Sequence, residues 1–85
     1  MDKLQIRKLG EYLRDKRVKA DLTQGFVAER MGFTSPQFIS NIERGLCSPP
    51  MDVLKRMVRL YKLRNPEVVK FLSRLQEEYF ERSLR

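Results

Sequence analysis

The sequence predicts an all-α fold, a compact five-helix bundle forming one domain over residues 1–85. Apolar residues recur at spacings of three and four, which is the period of an amphipathic helix. Short segments of turn-forming residues separate these periodic stretches, and no stretch alternates apolar and polar residues as a strand does. A chain of 85 residues builds one small core, and such a core gains from an oligomeric partner.

The first helix is predicted from about Lys3 to Lys19, because Ile6, Leu9 and Leu13 share one face and charged residues cover the others. The segment ADLT interrupts this pattern. Thr23, at the end of that segment, is a favourable N-cap, because its hydroxyl can accept a hydrogen bond from a free backbone N–H of the next helix.

A second, short helix is predicted from about Gln24 to Met31. Gly32 follows it as a stop signal, since glycine adopts a positive φ with little strain. Pro36 suits the first position of a third helix, where its missing N–H is not needed, and Gly45 ends that helix. The apolar stripe of the third helix consists of Phe38, Ile39 and Ile42.

The fourth helix is predicted to begin at Pro50 or Met51 and to end at about Lys62. The residue before a proline disfavours helix, so the fifth helix is predicted to run from Pro66 to about Arg82. Its apolar residues form one stripe with others beside it: Val68, Leu72, Leu75 and Tyr79, flanked by Val69, Phe71 and Phe80.

The charge distribution indicates a polyanionic partner. The chain has 18 Lys and Arg against 11 Asp and Glu, a net charge of +7. The excess lies in residues 1–23 and 51–85, whereas residues 24–50 carry two charges of each sign. A basic surface of this kind is typical of proteins that bind nucleic acid or an anionic membrane.

Other classes of protein are disfavoured by composition. Cys47 is the sole cysteine, so no internal disulfide forms, and without histidine a zinc site is not expected. The acidic residues are scattered among cations, which argues against an enzyme, and we expect no cofactor. The chain has neither a signal-peptide pattern nor an apolar run long enough to span a membrane, so a cytoplasmic location is expected.

The second and third helices, with their short glycine-containing connection, have the arrangement of a helix-turn-helix. Ile39 and Ile42 direct one face of the third helix to the core. The opposite face is polar and nearly uncharged: it presents Ser35, Gln37, Ser40, Asn41 and Arg44. Short side chains that donate and accept hydrogen bonds can read base edges in the major groove, while cations beside them hold phosphates.

The stretch LTQGFVAERMGFTSPQFISNIERG resembles the helix-turn-helix of the phage-repressor family, the Cro-like or XRE regulators. The resemblance covers about residues 9–63, from LGEYLRDKR to PPMDVLKRMVRLYKL. It implies a lambda-repressor-like domain that binds double-stranded DNA, usually as a dimer on a palindromic operator, in a bacterium or phage. By position, it implies that Gln24 touches phosphate or base and that Gln37 and Asn41 read bases. Ser35, Ser40 and Arg44 would lie near the backbone or neighbouring bases, and Pro36 stands where the family often has a polar base reader.

Two further roles are predicted from the residues. Glu43 would repel phosphate, so we expect it to form a salt bridge, with Arg17 or Arg30 as partner. The fifth helix carries more large apolar residues than one contact face needs. It either completes the core or forms a dimer seam through Phe71, Leu75, Tyr79 and Phe80.

The leading hypothesis is a sequence-specific transcription regulator, a repressor that acts as a homodimer and receives its signal through a regulatory protein, its own concentration or changed dimerisation. The alternative is a protein-interaction module of the same fold, such as an antitoxin-like or anti-repressor partner. A third reading places the fifth helix on an anionic membrane, and three acidic residues argue against it: Glu77, Glu78 and Glu81.

Overall fold

The computed structural model describes all 85 residues and contains five α-helices and no strand. The helices are α1 (Lys3–Lys19), α2 (Gln24–Arg30), α3 (Gln37–Glu43), α4 (Met51–Leu60) and α5 (Asn65–Ser83). The predicted all-α, five-helix fold class is therefore confirmed.

Side-chain caps set the starts of α1 and α2. Asp2 and Gln5 form a reciprocal capping box at α1, in which each side chain accepts a hydrogen bond of 2.8 Å from the other residue's backbone N–H. Thr23 caps α2 as predicted, since its hydroxyl accepts from the backbone N–H of Phe26 at 3.0 Å. These bonds satisfy backbone donors that would otherwise lack partners.

Helix α1 has the predicted bounds, and the ends of the other helices differ from the predicted bounds by at most two residues. Gly32 and Gly45 have φ values of +78° and +74° and follow α2 and α3, as predicted. The helical bonds of α4 end at Leu60, because Lys62 takes the left-handed conformation at φ +55°. At the start of α3, Pro36 lies just outside the helix, which begins at Gln37.

The core lies where all five helices meet. Its least exposed side chains come from every helix: Leu9, Leu13, Val27, Ile39, Ile42, Met57 and Leu75. Burial of such side chains is the main favourable contribution to folding. The core thereby fixes the orientation of α3, whose two isoleucines are fully buried.

Helix α1 crosses α3 at very short range because Gly10 has no side chain. A Cβ atom at Gly10 would overlap the carbonyl oxygen of Ile42 and lie 2.9 Å from that of Glu43. The close approach brings the first helix directly behind the one that bears the polar face.

Three ion pairs hold α5 to the first helix and its cap. They are Lys8–Glu78 at 2.6 Å, Lys16–Glu67 at 3.0 Å and Arg82–Asp2 at 2.9 Å. All three are partly exposed, so each contributes little by itself. Together they fix the direction of α5 along the bundle.

The predicted dimer seam on α5 is not one surface, and this part of the prediction needs correction. Leu75 is 2 % exposed and belongs to the core of the single chain. Phe71 is half-buried and stacks on Tyr12, with ring centroids 4.0 Å apart. Phe80 is 52 % exposed, and Tyr79 is half-buried beside it. Of the four predicted seam residues, only Tyr79 and Phe80 remain available to a second protomer.

None of the five helices combines the length and the apolar character that crossing a membrane requires.

Candidate nucleic-acid interface

Three predicted site residues form one hydrogen-bonded row along the exposed face of α3. Gln37 Nε2 donates to Asn41 Oδ1 at 2.8 Å, and Arg44 Nη2 donates to the same oxygen at 2.9 Å. The three residues lie about one helical turn apart, which is why their side chains meet. We call these residues the polar row.

The polar row keeps hydrogen-bonding groups free for a ligand. Asn41 Oδ1 accepts both internal bonds, while Gln37 Oε1 and the Asn41 side-chain N–H groups have no partner within the chain. An amide acceptor and an amide donor thus stand next to each other on an exposed helix face. A guanidinium with several remaining N–H groups lies one turn further on.

Three further predicted site residues, Ser35, Pro36 and Ser40, lie just before α3 or within it. Ser35 and Pro36 are exposed, and Ser40 is half-buried. The hydroxyl of Ser35 accepts from the backbone N–H of Gln37 at 3.3 Å, so this serine helps to begin the helix. Behind the face, the rings of Phe33 and Phe38 pack edge-to-face with centroids 5.3 Å apart.

Glu43, at the end of α3, is buried in an ion pair with Arg17. Arg17 Nε donates to Glu43 Oε2 at 2.6 Å, and Arg17 Nη2 donates to Oε1 at 3.1 Å. The hydrogen bond to Glu43 raises the pKa of Arg17 above its ordinary value. Of the two predicted partners, Arg17 is the one observed, and Arg30 lies over the Phe26 ring instead.

Gln24, which the resemblance assigns to phosphate or base, lies at the start of α2 and makes a contact within the chain. Its side chain is half-buried, and Nε2 donates to Glu43 Oε1 at 2.9 Å. The amide therefore joins the start of α2 to the end of α3 and completes the bonding of the Glu43 carboxylate. Sequence reasoning missed this internal role, since it depends on a contact between residues 19 positions apart.

The unpaired charge of the whole chain is positive, whereas the polar row itself carries one cation, Arg44. Five of the 18 cations and five of the 11 acidic residues are in ion pairs. Unpaired cations therefore outnumber unpaired acids about two to one on the surface. Within α3, Glu43 is neutralised by Arg17, so Arg44 is the uncompensated charge next to the polar face.

The fold and this face define a helix-turn-helix domain. A family model described as a helix-turn-helix domain matches residues 8–71, and the chain belongs to that family. Neither the curated proteins nor the solved structures gave a match. The family assignment confirms the predicted helix-turn-helix and is consistent with the resemblance to Cro-like or XRE regulators.

Membership of this family supports a DNA-binding regulator, because helix-turn-helix domains place their second helix in the major groove. The second helix of the motif is α3, which carries the polar row. Such domains are typically non-enzymatic, and no group of three or more His, Cys, Asp or Glu lies together to hold a metal ion.

Proposed function

We propose that the protein is a sequence-specific transcription regulator, a repressor that occupies a palindromic operator as a homodimer. The observation that carries this proposal is the polar row on α3, Gln37, Asn41 and Arg44. It lies on the helix that this family inserts into the major groove.

The chemistry of the polar row suits base edges. Glutamine and asparagine make paired hydrogen bonds to adenine, and arginine makes them to guanine. The bonds that Asn41 accepts from its two neighbours hold all three side chains in place before DNA arrives. Less conformational freedom is then lost on binding, which favours affinity and selectivity.

A dimer is proposed because one α3 contacts too few base pairs for high specificity. A two-fold dimer places two such helices about 34 Å apart, one turn of DNA, and thus reads a palindrome. An exposed stripe on α5 supports this assembly. It contains Val69, Ser73, Gln76 and Phe80, and the half-buried Leu72 lies beside them.

Repression is the expected sign of regulation. A domain that occupies a promoter excludes other proteins from it without further contacts. Operator occupancy would then vary with protein concentration, with the monomer–dimer balance or with a regulatory partner. The proposed site of action is the cytoplasm, on the nucleoid.

The test is a binding titration with a duplex selected from a random-sequence pool and a scrambled duplex of equal length. We expect preference for the selected duplex and a steep loss of affinity with salt, with a slope of log K against log[salt] of about −0.9 per phosphate contacted. A slope near zero, or equal affinity for both duplexes, would contradict the proposal.

A protein-interaction module is the second candidate, favoured by an apolar groove between α4 and α5. The groove is lined by Met51, Leu54, Val58, Val68, Val69 and Leu72. Met51 and Val69 are more than half exposed. Indifference to every duplex, together with tight and saturable binding to a protein partner, would favour this function.

A further inference from the structure

A group of unpaired cations lies where the first turns of α1 meet the end of α3. Lys3, Arg7 and Arg44 line one shallow groove there, together with Gly45 and Leu46. Lys3 and Arg7 are exposed residues one turn apart on α1. We call Lys3, Arg7 and Arg44 the basic cluster.

The groove exists because Gly45 lets α1 come close. A Cβ atom at Gly45 would lie 2.8 Å from the Cα atom of Arg7, and the φ of +74° at this position also favours glycine. The backbone N–H of Leu46 returns to the carbonyl of Asn41 at 2.9 Å, which fixes the turn. The position of Arg7 beside the end of α3 is thus determined by backbone packing.

The basic cluster has no internal counter-charge. None of its three members is in an ion pair, and the Lys3 and Arg7 side chains make no hydrogen bond. The acids adjacent in sequence, Asp2 and Glu43, are paired with Arg82 and Arg17, and Glu11, one turn after Arg7, is in no ion pair. The loop that follows Gly45 carries no charged residue through residue 50. Three uncompensated cations in one groove fit an anionic ligand.

The basic cluster is joined to the polar row through one residue. Arg44 lines the groove and also donates to Asn41 Oδ1. The polar row and the two cations of α1 therefore border the same end of α3. A ligand that runs along α3 meets Arg7 and Lys3 directly after Arg44.

We propose that the two α1 cations of the basic cluster, Lys3 and Arg7, hold the phosphate backbone of the DNA whose bases the polar row reads. The contact surface then extends from the helix-turn-helix onto the start of α1. Lys3 and Arg7 contribute affinity without base preference, because phosphate contacts carry no sequence information directly. This inference rests on the proposed DNA-binding function.

The test replaces Lys3→Gln and Arg7→Gln together and measures binding to the selected and scrambled duplexes over a salt series. The slope of log K against log[salt] should become less negative by roughly 1.8, which is the contribution of two phosphate contacts. The affinity ratio of parent to variant should consequently be about tenfold larger at about 50 mM salt than at about 200 mM salt. The order of preference among duplexes should stay unchanged.

The matched control is Lys70→Gln with Arg74→Gln. These two cations are exposed, lie one turn apart on α5 and are in no ion pair, so the change in net charge is the same. The control pair should leave the slope near that of the parent. Lys3→Gln alone, which breaks no ion pair within the chain, should remove about half of the effect.

The outcomes separate the two proposals. A parent protein without salt-dependent DNA binding overturns the proposed function and this inference together. A parent that binds DNA while the α1 pair and the control pair change the slope equally overturns only the inference. Altered base preference in the α1 variant would also overturn it, since that result indicates base reading. Tight binding of an acidic protein that is lost only in the α1 pair, with DNA binding intact, would assign the cluster to a protein partner and contradict the inference.

Discussion

Arg17 and Glu43 form a two-bond ion pair that fastens α1 to the end of α3, with donor–acceptor distances of 2.6 and 3.1 Å. Glu43 is 4 % exposed, and its carboxylate also accepts from Gln24. Arg17 donates a further bond to the carbonyl of Leu22 at 2.7 Å. One carboxylate thus joins the three helices that position the polar row.

Removing this carboxylate should strongly destabilise the protein. Glu43→Ala leaves the Arg17 guanidinium buried without its counter-charge, and loss of one partner of a buried pair typically costs about 3–5 kcal/mol. Asp15→Ala is the control, because its pair with Lys19 is exposed and contributes below about 1 kcal/mol. Urea unfolding of both variants gives the comparison. Equal free energies of unfolding for the two variants would show that the buried pair stabilises the protein no more than the exposed pair does.

The close crossing of α1 and α3 gives a second prediction. Gly10→Ala places a methyl group against the carbonyl oxygens of Ile42 and Glu43, and such overpacking costs about 1–3 kcal/mol. Gly25→Ala makes the same chemical change where the nearest atom, a Thr23 oxygen, is 4.0 Å away. That variant should be more stable by about 0.4–1 kcal/mol. Thermal unfolding distinguishes them, and a tolerated Gly10→Ala would contradict the described crossing.

Gln37→Ala should weaken specific DNA binding by about 1–3 kcal/mol and relax base preference at one position in each half-site. The change removes an amide from the polar row and one of the two bonds that orient Asn41. Titrations on the selected and scrambled duplexes measure both effects. An equal loss on the two duplexes would mean that Gln37 touches only the DNA backbone.

Stability should decline in acid because carboxylates hold α5 in place. Hydrogen bonds from Lys16 and Lys8 lower the pKa values of Glu67 and Glu78 below their ordinary 4.5. A carboxyl group whose pKa is lower in the folded than in the unfolded state stabilises the fold fully at pH values above its unfolded-state pKa. This contribution to stability is lost as the pH falls through the pKa of the folded state. The melting temperature should therefore change little between about pH 7 and 5 and drop below about pH 4.5.

Two substitutions on α5 test the origin of that pH dependence. Glu67→Gln removes one of the two carboxylates whose pKa is lowered, and it should reduce the loss of melting temperature in acid. Glu77→Gln removes a carboxylate that is in no ion pair and should leave the profile of the parent. If both variants keep the full acid loss, other carboxylates are responsible.

Local chemistry made much of this fold predictable. The Thr23 cap and the two glycines with positive φ depend on residues within a few positions of each other, so the sequence indicates them directly. The apolar spacing likewise indicated which face of α3 is buried, because Ile39 and Ile42 lie three positions apart.

Contacts between distant helices were not predictable in the same way. The apolar stripe of α5 includes Leu75 and Phe71, yet periodicity does not show that the first fills the core and the second stacks on Tyr12. The internal bond of Gln24 and the place of Arg7 beside Gly45 also depend on how helices pack. Residue type and spacing suggest such candidates, and only the tertiary arrangement assigns their partners.

The corrected dimer surface gives the last prediction. Since Leu75 is internal and Phe71 is engaged with Tyr12, we expect the seam of the proposed dimer to use the exposed stripe that contains Val69 and Phe80. These two residues are 59 % and 52 % exposed and lie eleven positions apart, about 16 Å along the same side of a helix with about 3.6 residues per turn. If two such helices packed antiparallel about a two-fold axis, Val69 and Phe80 of both protomers would be buried between them.

Val69→Asp together with Phe80→Asp should therefore give a folded monomer that binds the operator weakly, because charges in a desolvated seam oppose association while the polar row is untouched. Sedimentation equilibrium at tens of micromolar protein, with and without operator DNA, measures the assembly, and circular dichroism checks the fold. Lys70→Asp places a carboxylate on another side of α5 and should leave the dimer intact. A parent that is monomeric in both conditions, or a double variant that unfolds, would show that this stripe is not the seam. The two half-sites would then be joined through a surface that contains neither Val69 nor Phe80.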